Sequence, residues 1–268
     1  MYPEEHTEID QLGVHYPRGD CLGIRDATIA RNVKLLEKIK TYAPERKLKL
    51  IEFGSGRGGF AIQISQELDK IDRLEKFTAT NISRRENEYN QRKAREVGLT
   101  EDKYEVEYMS FDELDDLADG SFDVICSNEA ILYSQNKSKL MAQFCRILSQ
   151  GGITVFTDIL ESTNAPKEVL QPIYERLDLK DLGTVELYNA CLLDGGLTKI
   201  EQFTDTRNLT RHYGSVKYST LGASKEELLG ENGVGQEFYD KQVTGLGHWV
   251  EAGDKEMLEW GWFIYAKK

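Results

Sequence analysis

A run of glycines is the feature of this sequence that most directly suggests chemistry. Residues 52–59 read Glu-Phe-Gly-Ser-Gly-Arg-Gly-Gly; they close the apolar stretch 47–53 and precede a helical pattern at 60–68. Glycines at a turn from strand to helix let the backbone bend sharply and let a ligand approach closely. The pattern alone leaves a second reading open, a tight strand–helix turn with no ligand.

The charge beside the glycine run restricts the ligand. The glycines fall as GxGxGG rather than the GxGxxG of dinucleotide sites, and no Gly-Lys-Ser/Thr follows them, so the Walker pattern is absent. Glu52, two residues before Gly54, repels a phosphate and attracts an ammonium group. S-adenosylmethionine carries an amino-acid head and a sulfonium and no phosphate, so it is the cofactor that this pattern favours.

The elements that must position this loop alternate along the chain. Strand patterns are predicted at 47–53, 76–82, 104–109, 122–127 and 153–159, and helical patterns at 27–42, 60–68, 84–97 and 140–148, with Gly151-Gly152 as the stop of the last. This alternation predicts an α/β fold with a doubly wound, mostly parallel sheet. Further helices are predicted at 167–177 and 185–194, a strand at 199–204, a mostly helical stretch at 209–249 and a final strand at 260–266.

From about residue 47 to its end, the sequence resembles the class I S-adenosylmethionine-dependent methyltransferases. The glycine motif, the alternation of elements and the final apolar strand carry the resemblance. It implies a Rossmann-like, seven-stranded sheet whose last strand is antiparallel. We expect an N-terminal arm and cap helix over 1–45, and a methyltransferase domain over 46–268 with a helical, substrate-facing insertion at about 206–250.

The same resemblance implies which residues bind the cofactor. They are Glu52, Gly54, Gly56, Gly58, Asn81, Ile82, Glu86, Ser110, Phe111 and Asn128. Asn81 stands where an acidic residue more often binds the ribose, and an amide still donates and accepts hydrogen bonds to a diol. Ile82 is expected to pack on the adenine side. For Glu86, a solvated carboxylate on a helix face is the alternative.

Dispersed stretches of the second half resemble a narrower branch, the sarcosine/dimethylglycine N-methyltransferases that make glycine betaine. They are residues 170–177, 181–183, 211–213 with 216–217, and 247–253, and Asn81-Ile82 also fits this branch. The predicted substrate-binding residues are Arg176, Arg211, His212, Tyr213 and Asn128. A guanidinium binds a carboxylate through two parallel hydrogen bonds, although a helix-face ion pair for Arg176 and a structural role for His212 stay open.

Tyr133 is the predicted catalytic residue, together with Tyr16 or Tyr2 as an N-terminal aromatic at the reacting amine. Relatives often carry a His where this chain has Tyr133, so a base that titrates near neutral pH is missing there. Methyl transfer depends mainly on proximity and orientation, and a Tyr hydroxyl, a backbone carbonyl or a water chain can favour the neutral amine.

Composition narrows the partners. The 268 residues carry a formal net charge of −12, which disfavours nucleic acid and anionic membranes. The N-terminus has no signal-peptide pattern, and no apolar run approaches the ~20 residues that span a bilayer. Four cysteines at 21, 126, 145 and 191 lack metal-ligand spacing. We expect a cytoplasmic monomer or homodimer with free thiols, no metal and a small amino-acid substrate.

Three functions remain open from the sequence. The first is N-methylation of sarcosine or dimethylglycine to the osmolyte betaine. The second is methylation of another small molecule such as phosphoethanolamine, for which Arg176, Arg207, Arg211 and Lys217 offer cations. The third is a non-catalytic S-adenosylmethionine-binding protein, against which the intact glycine run argues.

Overall fold

The computed structural model describes residues 21–163, 165–222, 225–230 and 234–268. These residues divide into two compact units. The sheet unit comprises Leu35–Asp158, Gly183–Phe203 and Gly261–Lys268, and the helical unit comprises the described parts of Met1–Lys34, Ile159–Leu182 and Thr204–Trp260. The predicted divisions at residue 45 and at 206–250 stay predictions.

Within the described residues, seven strands form one mixed sheet in the order β3-β2-β1-β4-β5-β7-β6. The strands are β1 (Leu48–Phe53), β2 (Leu74–Asn81), β3 (Tyr104–Tyr108), β4 (Phe122–Asn128), β5 (Leu148–Glu161), β6 (Leu197–Asp205) and β7 (Leu258–Lys267). β1 pairs in parallel with β2 and β4, β2 with β3, and β4 with β5. The predicted α/β, doubly wound, mostly parallel fold is confirmed.

Helices cover both sides of the sheet. They are α1 (Cys21–Tyr42), α2 (Gly59–Lys70), α3 (Arg84–Glu96), α4 (Lys137–Ile147), α5 (Lys167–Leu177), α6 (Val185–Asp194), α7 (Thr206–Leu221), α8 (Lys225–Leu229) and α9 (Gln236–Asp254). Side chains of the residues just before them cap three: Ser83 before α3, Asn136 before α4 and Thr184 before α6 each accept a backbone N–H of the first turn. The described part of the chain contains no helix long and apolar enough to cross a bilayer.

The strand order creates a switch point between β1 and β4. The chain moves outward from β1 to β3 and then returns to β4 on the other side of β1. In parallel sheets, a ligand binds in the crevice at the carboxyl ends of the two strands that flank such a reversal. β4 is buried on both faces, as its apolar sequence predicted, with Val124, Ile125 and Cys126 all at 0% exposure.

The core of the sheet unit is aromatic. Phe53 stacks on Phe144 with ring centroids 5.4 Å apart, and Phe156 stacks on Phe263 at 4.9 Å. The Tyr188 ring meets Phe156 edge-on at 5.6 Å. This cluster fixes the central strands from one side of the sheet, and offset or edge-on pairs of this kind stabilise beyond their buried area.

The prediction that Gly151-Gly152 stops a helix was wrong in its detail. α4 ends at Ile147, and both glycines lie inside β5. The register of the strand pair shifts there, since β4 advances two residues from Phe122 to Val124 while its partner β5 advances five from Leu148 to Ile153. A β carbon on Gly152 would stand 2.8 Å from the carbonyl oxygen of Asp123, so a close approach of backbones requires this glycine.

Candidate functional site

The glycine turn follows β1 at the switch point. Gly54, Gly56 and Gly58 have backbone φ angles of +74°, +52° and +81°, a region that residues other than glycine rarely adopt. A β carbon on Gly54 would lie 2.3 Å from the β carbon of Ala130, whereas one on Gly56 would meet no atom of the described residues within 4 Å. The turn therefore packs tightly against the loop after β4, and within the part of the chain that the structure describes the space over Gly56 is open to a ligand.

A buried carboxylate stands at the entrance of this turn. Glu52 is 2% exposed, and its Oε1 accepts a hydrogen bond of 3.0 Å from Nδ2 of Asn128 at the end of β4. Its negative charge, second to burial itself, raises the pKa of the Cys126 thiol and of the Tyr104 hydroxyl. The field at this edge of the sheet is thus negative, which favours a cationic group.

The end of β2 brings two more predicted residues together. Nδ2 of Asn81 donates to Oε2 of Glu86 at 2.9 Å, and Oδ1 of Asn81 accepts the backbone N–H of Ile82 at 3.0 Å. Ser83 begins α3 by accepting the N–H of Glu86 at 3.4 Å. Glu86 therefore contacts Asn81, while its side chain stays 40% exposed with Oε1 4.0 Å from Nε of Arg57. Its role toward a cofactor stays a prediction. The Ile82 side chain is 62% exposed beside this pair, an apolar surface that an adenine ring can cover.

The loop after β3 closes another side of the glycine turn. The β carbon built on Gly54 would lie 3.9 Å from Cε1 of Phe111. Ser110 is partly buried, and its Oγ accepts the N–H of Asp112 at 3.3 Å. The Asp112 carboxylate in turn binds the Ser134 hydroxyl at 2.6 Å and the Gln135 N–H at 3.1 Å, which ties this loop to the segment after β4.

Asn90 is a residue of this site that the sequence analysis did not identify. It is fully buried on α3, its Oδ1 accepts the Tyr104 hydroxyl at 2.7 Å, and its Nδ2 donates to Ser55 Oγ at 3.4 Å. A β carbon on Gly58 would lie 2.0 Å from Asn90 Oδ1. Asn90 thus supports the glycine turn from below. Asn90 lies one helical turn before Ala94, the other buried residue of α3. This i, i+4 spacing places Asn90 on the buried face of the helix, and it is the signal by which the sequence could have identified Asn90.

Tyr133 ends a short 3-10 turn, Ile131–Tyr133, after β4, and its side chain is 47% exposed. Nearby, Glu129 holds a φ of +52°, an unusual backbone for a residue other than glycine. Strain of this kind persists where surrounding structure fixes it and is frequent at ligand sites. Tyr16 and Tyr2, the other aromatic candidates for the amine, lie outside the described residues.

The helical unit holds the predicted carboxylate-binding residues in two separate cavities. Arg176 lines one of about 650 Å³ between α5 and α9, where its Nη2 donates to Oε1 of Gln242 at 2.5 Å and its guanidinium covers Gly245. Arg211 lines another of about 300 Å³ between α7 and the end of α9. Arg176 and Arg211 thus line different cavities among those that the described residues form.

His212 and Tyr213 follow Arg211 on α7. The His212 ring meets the Tyr213 ring edge-on at 5.3 Å, and Tyr213 stacks on Trp249 of α9 at 4.7 Å with 14° between the ring planes. Trp249 itself is 2% exposed. The stack of Tyr213 on Trp249 joins α7 to α9. Tyr213 is partly buried and is therefore more accessible than Trp249.

Comparisons with known proteins give a consistent picture. A protein-family sequence model described as a methyltransferase domain matches residues 44–189. A sarcosine/dimethylglycine N-methyltransferase of Aphanothece halophytica is 34% identical over 245 residues, 91% of this chain and 84% of that protein. A crystal structure assigned as a sarcosine dimethylglycine methyltransferase, from Galdieria sulphuraria, superposes with a TM-score of 0.81 at 28% identity and covers 91% of this chain and 88% of its own.

A second kind of relative matches less of the chain. A phosphoethanolamine N-methyltransferase of Triticum aestivum is 31% identical over 153 residues, which is 56% of this chain and 29% of that protein.

Proposed function

The chain belongs to the methyltransferase domain family, and we propose that it N-methylates sarcosine to dimethylglycine, dimethylglycine to glycine betaine, or both in turn. It is an S-adenosylmethionine-dependent enzyme. The substrate part of the proposal rests on the similarity to a sarcosine/dimethylglycine N-methyltransferase over 91% of this chain. The observation that carries the cofactor part is the buried Glu52 carboxylate, which accepts a hydrogen bond from Asn128 at the entrance of the glycine turn. That arrangement matches a ligand with a cationic amino-acid head and no phosphate.

The residues of the sheet unit fit S-adenosylmethionine. Glu52 would hold the ammonium group of its amino-acid portion, and Asn128 keeps the Glu52 carboxylate in place. Asn81 and Glu86 offer the donors and acceptors that a ribose diol needs, while Ile82 and Phe111 offer apolar surface for adenine. When bound, the cofactor supplies a methyl group on a sulfonium, a carbon already activated for displacement. The protein then contributes orientation and proximity.

The substrate amine and carboxylate need different groups. An amino-acid amine is mostly protonated at pH 7 and must lose a proton before it attacks. We assign Tyr133, with the N-terminal Tyr16, to accept the N–H of the ammonium and so orient the substrate; the proton then passes to solvent water, and the freed lone pair faces the methyl carbon. Arg211 with His212 and Tyr213 is our first candidate for the substrate carboxylate, and Arg176 is the second. Aromatic faces such as Tyr213 also attract the quaternary ammonium that forms on dimethylglycine.

We further propose that the enzyme works in the cytoplasm on a small amino acid, as a monomer or homodimer, and does not bind nucleic acid or membranes. The net charge of −12 supports the last part of this proposal, because a negatively charged protein repels the phosphate backbones of nucleic acids and anionic lipid surfaces. The methyltransferase domain would extend over 46–268, with the helices at about 206–250 facing the substrate.

The test uses methyl-labelled S-adenosylmethionine and a panel of sarcosine, dimethylglycine, glycine and phosphoethanolamine. We expect label in dimethylglycine or betaine. Label on phosphoethanolamine alone would support the other small-molecule methyltransferase; the phosphoethanolamine N-methyltransferase of Triticum aestivum matches 56% of this chain in sequence. Cofactor binding without turnover of any substrate would support a non-catalytic binding protein.

A further inference from the structure

Asp158 is a buried carboxylate that none of the roles above uses. It lies near the carboxyl end of β5, the strand next to β4, and is 0% exposed. Its Oδ2 accepts the Tyr188 hydroxyl at 2.6 Å, and its Oδ1 accepts the backbone N–H of Leu132 at 3.2 Å. A buried carboxylate is costly unless its oxygens are hydrogen-bonded, so these contacts hold it in one orientation.

Tyr188 provides a rigid anchor for this carboxylate. Its side chain is 0% exposed on α6, and its ring packs edge-on against Phe156 at 5.6 Å and Phe263 at 5.5 Å. A β carbon on Gly183 would lie 2.2 Å from the Tyr188 hydroxyl oxygen, so the absence of a side chain at 183 makes room for it. The hydroxyl position is therefore set by the aromatic core.

Asp158 connects Tyr188 to the turn after β4, because it also accepts the backbone N–H of Leu132. Leu132 is the middle residue of the turn Ile131–Tyr133, and Tyr133 follows it directly. One residue earlier on β5, the carbonyl of Thr157 accepts the N–H of Glu129 at 2.9 Å. Two successive residues of β5 thus bind the segment that carries Tyr133, and Asp158 is the one that reaches the turn itself.

We infer that Asp158 is a positioning residue: anchored by Tyr188, it fixes the Leu132 amide and with it the place of the Tyr133 side chain. The inference deepens the proposed function and rests on it for the role of Tyr133. A turn that shifts by about 1 Å moves the hydroxyl out of line with the amine, and misplacement of that size can reduce a rate about 100-fold. The residues assigned to the cofactor lie at or after the carboxyl ends of β1, β2, β3 and β4, and Tyr188 and Asp158 are not among them, so cofactor affinity should change much less than kcat.

The first test removes one hydroxyl at each of two buried tyrosines. Tyr188→Phe keeps the ring and loses the hydrogen bond to Asp158. Tyr265→Phe is the matched control, because Tyr265 is 0% exposed in the same unit and its hydroxyl binds Asn189 instead. We expect Tyr188→Phe to lower kcat about tenfold, with the cofactor Kd within about twofold of wild type and Tyr265→Phe near wild type in both. Equal losses of kcat would overturn the inference.

A second test asks whether the effect passes through Tyr133. In a Tyr133→Phe background, Tyr188→Phe should lower kcat less than about twofold, because the hydroxyl that it positions is already gone. Additive losses would contradict the inference. Asp158→Asn keeps an oxygen that can accept the Leu132 N–H, so it should retain several-fold more activity than Asp158→Ala.

A third readout does not depend on turnover. With 3-fluorotyrosine at position 133, the ¹⁹F resonance should shift or broaden in Tyr188→Phe and stay unchanged in Tyr265→Phe. An unchanged resonance in both variants would refute the inference even in an active enzyme. Conversely, a shifted resonance in a protein that methylates no amino acid would keep the inference and defeat the proposed function.

Discussion

Nδ2 of Asn128 donates a hydrogen bond of 3.0 Å to Oε1 of Glu52 and so joins the ends of β1 and β4 at the switch point of the sheet. The bond keeps a negative charge at the β1–β4 switch point, where the strand order reverses. Since ligands of such sheets bind at this reversal, the charge selects among them. The predictions below begin with this pair.

Glu52→Gln should weaken cofactor binding about 10- to 100-fold, because it removes the charge that attracts the ammonium group and keeps the side-chain volume. Calorimetric titration with S-adenosylmethionine measures the effect. Glu75→Gln is the control, since this carboxylate is 46% exposed on β2 in an ion pair with Lys49. Equal affinities of the two variants would remove Glu52 from the cofactor site.

Gly58→Ala should destabilise the protein by about 3 kcal/mol and impair cofactor binding. It combines a φ of +81° with a β carbon 2.0 Å from Asn90 Oδ1, so Asn90 must move and release Tyr104 and Ser55. Gly98→Ala has a similar φ of +85°, its β carbon would meet no atom of the described residues within 4 Å, and it should cost only about 1 kcal/mol. Urea unfolding of both separates the clash from the backbone strain, and similar losses would argue against the clash.

Tyr133→Phe should lower kcat about tenfold or more and leave both stability and cofactor Kd near wild type. The side chain is 47% exposed, so its hydroxyl contributes little to folding. Tyr42→Phe, on the exposed side of α1, is the control for loss of a surface hydroxyl. Unchanged turnover in Tyr133→Phe would leave the orientation of the ammonium to other groups.

Arg211→Ala should raise KM for the amino acid at least about tenfold and leave KM for the cofactor within about twofold, as expected for loss of a guanidinium–carboxylate pair. Arg207→Ala is a close control, because Arg207 is one turn away on α7, lines the same cavity and has a side chain that is 78% exposed. Similar increases for both substrates would take Arg211 out of the carboxylate role and favour Arg176.

Stability should fall at high pH through Cys145. Burial raises the pKa of this thiol to about 11, whereas in the unfolded chain it is about 8.5. The contribution is complete below about pH 8.5 and is lost as pH rises toward 11, at about 1.4 kcal/mol per pH unit, because the unfolded state releases the proton first. Cys145→Ala should show a shallower decrease of unfolding free energy than wild type over this range. Parallel pH curves would contradict the raised pKa.

The sequence by itself determined the α/β class, the glycine turn and the charge beside it. Strand and helix periodicity, the need for positive φ at Gly54, Gly56 and Gly58, and the place of Glu52 at the end of β1 are all local properties. Local patterns of this kind can be read from one stretch of chain because neighbouring residues produce them. The bounds of α5 and α6 were predicted to the residue for the same reason.

Only the tertiary structure decided which distant polar groups meet. Asp158 stands 26 residues after Leu132 and 30 before Tyr188, and no spacing rule links positions so far apart. The sequence also could not predict that Arg176 and Arg211 line different cavities, because its local pattern describes both simply as cationic residues on helices. Such pairings depend on how the strands order themselves and how the helices pack, and on the need of each buried polar atom for a partner within hydrogen-bond distance.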